Sequence, residues 1–436
     1  MKTLKQTFSI RFHYPVLFTH HVFKPSNTTL VSLLKPSNSS ISRILLVVDA
    51  GLVSAMPDLL SQIERYLRAH HKRLCLVRAP LLVPGGEQAK NNWERVKEIL
   101  TAASAEHLDR HDYIIAVGGG SVLDMAGFAA SIIHRGLRLI RIPTTVLAQN
   151  DAGIGVKNSM NGGGAKNFLG TFTPPMAVVN DAEFLKTLPP SEWLSGISEA
   201  FKVAIIKDSS FFKYLCQNAM ALRARDQAVM EKVIHQTAAL HLQHIATSGD
   251  PFENGSARPL DFGHWAAHRL ELISDFTLGH GQAVAIGIAL DSTYAYLKQL
   301  ITAKEHALIL QGLSACGLSV WSPLLTRLGP AGTPELFAGL EQFREHLGGK
   351  LCITLPAPIG NSREVHVMDQ ALIQKAIAIL QLHGGVVDAL TAPPPSSRHR
   401  RRVGARSGAE SSTSAQLTAL GSPSSKATKP RGNCKT

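Results

Sequence analysis

The stretch DFGHWAAHRLE, Asp261 to Glu271, sets His264 and His268 four residues apart, and His280 follows in LGHGQAV. Histidines at such spacing serve as metal ligands, as acid–base groups near neutral pH, or as ordinary residues on one helix face. Spacing alone leaves all three open. A second candidate is AVGGGSVLDMAG, which reads as strand, glycine run and helix. Gly118, Gly119 and Gly120 allow a tight turn and close approach to a ligand. The helix that Ser121 opens offers free N–H groups and a positive dipole end to a pyrophosphate. The same run also suits a tight βα turn with no ligand. Asp124, in the first turn of that helix, is either a dipole residue or a hydrogen-bonding group for a cofactor. Asp49 ends the first long strand, at the edge where α/β sheets bind ligands. Glu87 and Lys90 in GGEQAK suit ribose hydroxyls. A third candidate is the polar, glycine-rich stretch of residues 142–175, with Asp151, Lys157, Lys166 and Asn167. Lysines in such a loop suit a phosphate or carboxylate, and the alternative is a flexible surface loop.

The elements that must position these residues alternate from Ile41. SRILLVVDAGL, KRLCLVRAP, DYIIAVGGG and LRLIRIPTT read as strands. MPDLLSQIERYLRAHH, EQAKNNWERVKEILTAASAEH and VLDMAGFAASIIHRG read as helices between them. This pattern predicts a parallel sheet covered on both faces. Beyond Pro189 the strand signals fade and helical spacing dominates, interrupted by KLCITLP before a last helix, DQALIQKAIAILQLHG. The expected fold is an α/β, Rossmann-like N-terminal domain over residues 1–185 and an all-α domain over 186–390, with a cleft between them for a small molecule.

The chain has 436 residues and a formal charge of +13. From Ala392 there are nine Lys or Arg and one acid, Glu410, so +8 of that charge sits in a Pro-, Ser- and Gly-rich tail. We expect residues 391–436 to be a disordered basic tail and the core to be no nucleic-acid binder. Five scattered cysteines form no CxxC pair. With no membrane-length apolar run and no secretion signal near the start, the pattern suggests a cytoplasmic protein without a disulfide framework.

GGGSVLDMAGFAAS, IPTTVLAQNDAGIGVK, KNFLGTF, GISEAFK, DFGHWAAH and LGHGQAVAIG occur in an order and spacing that resembles the dehydroquinate synthase family, the sugar phosphate cyclases. The resemblance runs from about residue 41 to residue 385 and suggests a divergent, ebo-cluster-type branch. It implies a metal held by Glu199, His264 and His280, with zinc or cobalt as the ion. It implies His268 and Lys202 as catalytic residues beside Asp151 and Lys157, and substrate contacts from Lys166, Asn167, Arg258 and Asp261. It implies NAD bound by Asp49, Glu87, Lys90, Gly118, Gly119, Gly120, Ser121, Asp124, Thr144, Thr145, Lys157 and Lys166, with Phe184 and Thr187 near the nucleotide. The implied reaction is that of a carbon–oxygen lyase: transient oxidation of a sugar phosphate, phosphate elimination, re-reduction and intramolecular aldol closure to a carbocycle. A homodimer follows by the same resemblance.

Departures cluster around the substrate. Asp261 stands where the synthases have Asn, and Arg258 lies three residues before it rather than the usual four. Gln243 replaces a Lys, and a late DKK reads FRE at Phe343–Glu345, leaving Arg344 as a positive substitute. Loss of positive charge and gain of Asp261 weaken recognition of a carboxylate. That favours a sugar phosphate other than the carboxylated one, such as the sedoheptulose 7-phosphate of valiolone-type cyclases, although those commonly lose the histidine that His268 represents. Two alternatives are a metal-dependent polyol dehydrogenase of the glycerol type and a non-enzymatic NAD-binding homologue.

Overall fold

The computed structural model describes residues 3–36, 41–163, 165–247, 252, 259–330 and 332–391. Arg258 and the basic tail expected from residue 391 lie outside them, apart from Thr391 itself.

Seven strands make one parallel sheet: β1 (Val16–Thr19), β2 (Ser42–Asp49), β3 (Leu74–Leu76), β4 (Leu81–Val83), β5 (Tyr113–Gly118), β6 (Arg138–Pro143) and β9 (Ala177–Asp181). Their order across the sheet is β1–β9–β6–β5–β2–β3, with β4 also on β2. The buried strands alternate their side chains between two cores, as a sheet covered on both faces must. Leu45, Val47, Ile114 and Ala116 pack under the helices α2 (Trp93–Ala105) and α3 (Gly120–Ile132). Ile44, Leu46, Val48, Ile115 and Val117 face α1 (Leu59–Ala69).

The four strands read from the sequence are present as β2, β3, β5 and β6, the sheet adds β1, β4 and β9, and two further segments differ from their reading. The segment 87–107 predicts one helix, and the structure has two. The break falls at Asn92, whose extended backbone lets its side chain accept from Glu94 N–H and start α2 afresh. The polar stretch 142–175 predicts a loop. It instead contains a turn of π-helix at Ala148–Ala152 and an antiparallel hairpin of β7 (Lys157–Gly162) and β8 (Ala165–Phe172). Glycines and asparagines hide the alternation that would otherwise announce those strands. Arg141 of β6, wholly buried, braces this segment: its guanidinium donates to the carbonyls of Gly153, Gly155 and Lys157 and to Asn158 Oδ1 at 2.6–3.1 Å.

Beyond the short turn at Ala182–Thr187 the chain is mainly helical. Four helices position the site: α4 (Pro190–Lys207), α5 (Gln227–Thr247), α6 (His264–Ile273) and α7 (His280–Leu297). KLCITLP contributes β10 (Ile353–Pro356), paired with an unforeseen β11 (Ser362–Val365). Among the described residues no helix is long and apolar enough to cross a membrane. Cys216, Cys316 and Cys352 are free thiols, as scattered cysteines suggest.

The crossing of α4 and α7 is a tight one. Gly281 N–H donates to Ser195 Oγ at 3.1 Å, and a Cβ on Gly281 would lie 2.1 Å from the Ser195 carbonyl oxygen. Only glycine lets the two backbones meet there, one residue after His280 and four before Glu199. Gly281→Ala should therefore force the helices apart and destabilise the protein by about 3 kcal/mol, the upper range for overpacking, in urea unfolding. Gly279→Ala, where an added Cβ meets nothing within 4 Å, is the control expected to change little.

Candidate metal and dinucleotide site

Parallel strands place β2, β5 and β6 with their carboxyl ends together, and the sequence candidates gather there. Asp49 ends β2 and turns back to accept from Gly51 N–H at 2.8 Å. Gly118 ends β5, and α3 starts directly from the glycine run. Thr144 N–H donates to the Gly118 carbonyl, and Thr145 Oγ1 accepts from Ala148 N–H, so the threonines after β6 join the glycine turn to the π-turn. The N-terminus of α3 thus opens at the centre of the sheet edge, the arrangement that receives a pyrophosphate.

Glu87 accepts from Ser121 Oγ at 3.2 Å and from Asn161 Nδ2 at 2.8 Å. Burial pushes its carboxyl up, and Lys166 and Lys90 outweigh that and hold it below the usual range. Lys90 is 3% exposed, and its ammonium donates to Asp124 Oδ2 at 2.7 Å, to Ser159 Oγ at 2.9 Å and to Asn167 Oδ1. Asp124 is accordingly the counter-ion of Lys90 rather than a solvent-facing dipole residue. Asn167 takes a positive φ of 56°, which aims its amide oxygen into this cluster. Phe184 is buried in the core beneath the sheet, and the Thr187 hydroxyl donates to the Phe184 carbonyl, so both build the connection to α4.

Glu199 and Lys202 lie one turn apart on α4, both buried. Glu199 Oε1 is 3.5 Å from His264 Nε2 and 3.6 Å from His280 Nε2. The edge of a tetrahedron with zinc-to-ligand arms near 2.1 Å is about 3.4 Å, so the three atoms fit one ion. Each histidine has its other nitrogen occupied: His264 Nδ1 faces the Phe262 carbonyl at 3.1 Å and His280 Nδ1 faces Glu271 Oε2 at 3.1 Å. Those contacts leave both Nε2 atoms directed at Glu199, as ligating imidazoles require. Both Glu199 oxygens are buried and accept no well-formed hydrogen bond, although the Lys202 ammonium touches Oε2. A buried carboxylate with no such partner is costly, and a cation would satisfy it.

His268, Glu271 and His280 form a second group with metal-ligand spacing. Glu271, however, is already shared between His280 and Lys166, the latter at 2.6 Å. The set built on Glu199 therefore suits a cation better, with Glu271 orienting one of its histidines. Burial pushes the Glu271 carboxyl up, and His280 and Lys166 override it and hold it down. Burial, reinforced by His264 and Lys166, holds the His268 imidazole well below its usual range and keeps it neutral. Its ring centre lies 5.4 Å from that of His264 and 6.0 Å from that of His280.

Lys202 also faces Asp151 Oδ1 at 3.6 Å, and the same oxygen meets His241 Nδ1 at 2.8 Å. Burial alone would lower Lys202, but Asp151 and Glu199 raise it above its usual value. Burial pushes Asp151 up, and Lys202 and His241 together outweigh that to bring it down to about 2. Asp261 Oδ2 is buried with no hydrogen-bond partner among the described residues, and the Asp261 charge bears on Lys202. Lys157 is exposed at the start of β7.

One sequence expectation fails here. Arg344 does not replace the missing cation: it pairs on the surface with Glu341, and Phe343 packs into the helical core. Gln243 is exposed on α5. Two residues go unnoticed in the sequence. Glu271 follows His264 by seven residues and His268 by three, a spacing that puts all three on one face of α6. His241 carries no local signal; only the fold brings α5 against the π-turn.

A mainly parallel α/β sheet with a dinucleotide-type turn, set against a helical body bearing a His₂Glu centre, defines a class of two-domain enzymes. The chain matches the 3-dehydroquinate synthase N-terminal model over residues 80–195 and the C-terminal model over residues 196–333. A 2-epi-5-epi-valiolone synthase from Actinomyces sp is 31% identical over 384 residues, covering 85% of this chain and 96% of its own. A 3-dehydroquinate synthase from Shewanella loihica is 33% identical over 307 residues, covering 69% and 82%. The solved 2-epi-5-epi-valiolone synthase from Streptomyces hygroscopicus subsp. jinggangensis 5008, with NAD+ and Zn2+ bound, superposes with a TM-score of 0.76 at 29% identity, covering 87% of this chain and all of that one. The chain belongs to the 3-dehydroquinate synthase family, the sugar phosphate cyclases.

Two outcomes test the geometry. Glu199→Gln should weaken Co2+ binding by at least about a hundredfold, since the site loses its one anionic ligand, read by titrating the metal-free protein. Asp151→Asn should cost about 2 kcal/mol at neutral pH, from a carboxylate lowered from 3.8 to about 2. A depressed carboxylate stabilises above its unfolded value and loses that contribution as pH falls. Urea unfolding of variant and wild type should accordingly converge as pH drops from about 4 toward 2.

Proposed function

We propose that this chain is a sugar phosphate cyclase using NAD+ and a divalent metal, Zn2+ or Co2+, and that its substrate is a seven-carbon sugar phosphate without a carboxylate, of the sedoheptulose 7-phosphate kind. The carrying observation is Asp261. Its Oδ2, buried with no hydrogen-bond partner among the described residues, can accept from a substrate hydroxyl, and its charge, which bears on Lys202, repels an anion at that end of the substrate. The relatives named valiolone synthases support the same reading.

Glu199, His264 and His280 would hold the metal, which when bound polarises substrate hydroxyls while the nicotinamide accepts and returns a hydride. Gly118, Gly119, Gly120, Ser121, Asp49, Glu87, Thr144 and Thr145 would seat the dinucleotide, over a floor made by Lys90 and Asp124. Lys157, Lys166 and Asn167 lie on the hairpin beside it and would clamp the phosphate. Asp151 holds Lys202 charged and in place, and Lys202 orients a substrate oxygen. Neutral His268 is free to take or give a proton at the substrate. Location in the cytoplasm and assembly as a homodimer remain part of this reading on the strength of the family resemblance.

His268 favours a second reading, the carboxylated substrate of 3-dehydroquinate synthases, which resemblance links to that histidine. The protein loaded with Zn2+ and NAD+ should release phosphate from sedoheptulose 7-phosphate without accumulating NADH. Release from the carboxylated seven-carbon substrate alone would establish the second reading, and steady NADH accumulation from polyols would replace both with a dehydrogenase. Asp261→Asn should lower kcat/KM for sedoheptulose 7-phosphate about tenfold, the worth of one charge-assisted hydrogen bond.

A further inference from the structure

The helix α7 carries His280 in its first turn and, eleven residues on, a wholly buried acid, Asp291. Asp291 lies in neither the metal set nor the dinucleotide edge. Its two oxygens are both used: Oδ2 accepts from Gly263 N–H at 3.0 Å and Oδ1 from the Trp265 indole Nε1–H at 2.8 Å. These donors sit immediately before and after His264.

The turn they bracket is pressed onto α7. Gly263 has φ of +79°, and a Cβ added there would lie 2.8 Å from Ile288 N; one added to Gly287 would lie 2.0 Å from the Gly263 carbonyl oxygen. The backbone around His264 is thus pinned on both flanks by one side chain and seated on the helix that bears the other histidine. Burial pushes the Asp291 carboxyl up to about 7, against the pull of its two donors. Among the described residues no ion pair with Asp291 is found, and its neighbours on α7 include Ile288 and Leu290, both buried. An apolar residue would cost less at such a position, so retention of a carboxylate points to a geometric task.

We propose that Asp291 is the positioning residue for His264: α7 supplies one imidazole of the metal centre directly and, through Asp291, aims the other. The residue does not touch the metal or the substrate. It fixes the turn from which His264 projects, so that Nε2 meets Glu199 while Nδ1 faces the Phe262 carbonyl.

This rests on the reading of His264 as a metal ligand, and the test separates the two. The full chain is stripped of metal and titrated with Co2+, recording affinity and the visible absorption of the bound ion, for wild type, Asp291→Ala, Trp265→Phe and His264→Ala. We expect Asp291→Ala to bind Co2+ about ten- to a hundredfold more weakly, with a shifted absorption band, the range for residues that orient ligands. Trp265→Phe removes one donor while retaining an aromatic ring, and should shift the same band with a smaller loss. A role confined to stability would lower the melting temperature and leave affinity and spectrum of the folded protein unchanged; that result for Asp291→Ala overturns the proposal. If Asp291→Ala does not fold, wild-type affinity and spectrum in Trp265→Phe overturn it. Unaltered Co2+ binding by His264→Ala would instead remove the underlying metal reading.

Discussion

A carboxylate with no exposure, Glu199, governs the architecture of the helical half. Removing a charge from water costs several kcal/mol unless partners replace the lost solvent. Glu199 gathers Lys202 from the next turn of its own helix, His264 from α6 and His280 from α7. Lys202, itself buried, then requires Asp151 from the α/β half. The chain of compensation crosses from one half of the molecule to the other. The electrostatic needs of one side chain therefore help to set how the sheet edge faces the helices.

The same logic continues outward. Lys166, on the hairpin, meets Glu271, and Glu271 orients His280. Lys90 meets Asp124, with Ser159 and Asn167 around them. Lys166 and Lys90 thus each have an acid within reach, and the hairpin is anchored to both halves of the molecule. Rigid positioning of opposed charges at low dielectric is what allows a site to act on hydroxyls and phosphate without reorganising at each step. Arg141 serves that rigidity from below, converting a glycine-rich segment that could wander into one held by four hydrogen bonds.

How much of this was legible follows from the range of each interaction. The sheet was legible because strand burial on both faces leaves continuous apolar runs such as ILLVV and YIIAV, and helix spacing between them is strong. The hairpin was not, because Gly162, Gly163 and Asn161 weaken the alternation that marks a strand. The glycine turn was visible as a motif, and the geometry of β5 and α3 agrees with it. Spacing left the histidines ambiguous: His264 and His268 are neighbours on one helix, yet the partner they need, Glu199, is more than sixty residues away. Only resemblance joined them in sequence. Glu271 could have been found from its i+7 relation to His264, whereas His241 depends wholly on tertiary packing. Arg344 shows the converse error, a residue assigned by charge and position alone that the fold turns to the surface.

On the proposed reading, the surroundings of Asp261 are where charge and chemistry decide between close relatives. Metal and dinucleotide features arise from elements that the sheet and helix crossings fix, and they tolerate little change. Asp261 lies instead in a short 3-10 turn, Pro259–Asp261, just before the pinned turn at Gly263. Its carboxylate can exchange for an amide without moving α6, because the backbone downstream is held by Asp291 and not by Asp261 itself. On the proposed reading, a fold that anchors its metal-binding histidine from behind leaves the residue in front free to set which sugar end is admitted. Substrate choice and metal geometry would then be carried by different side chains of one segment.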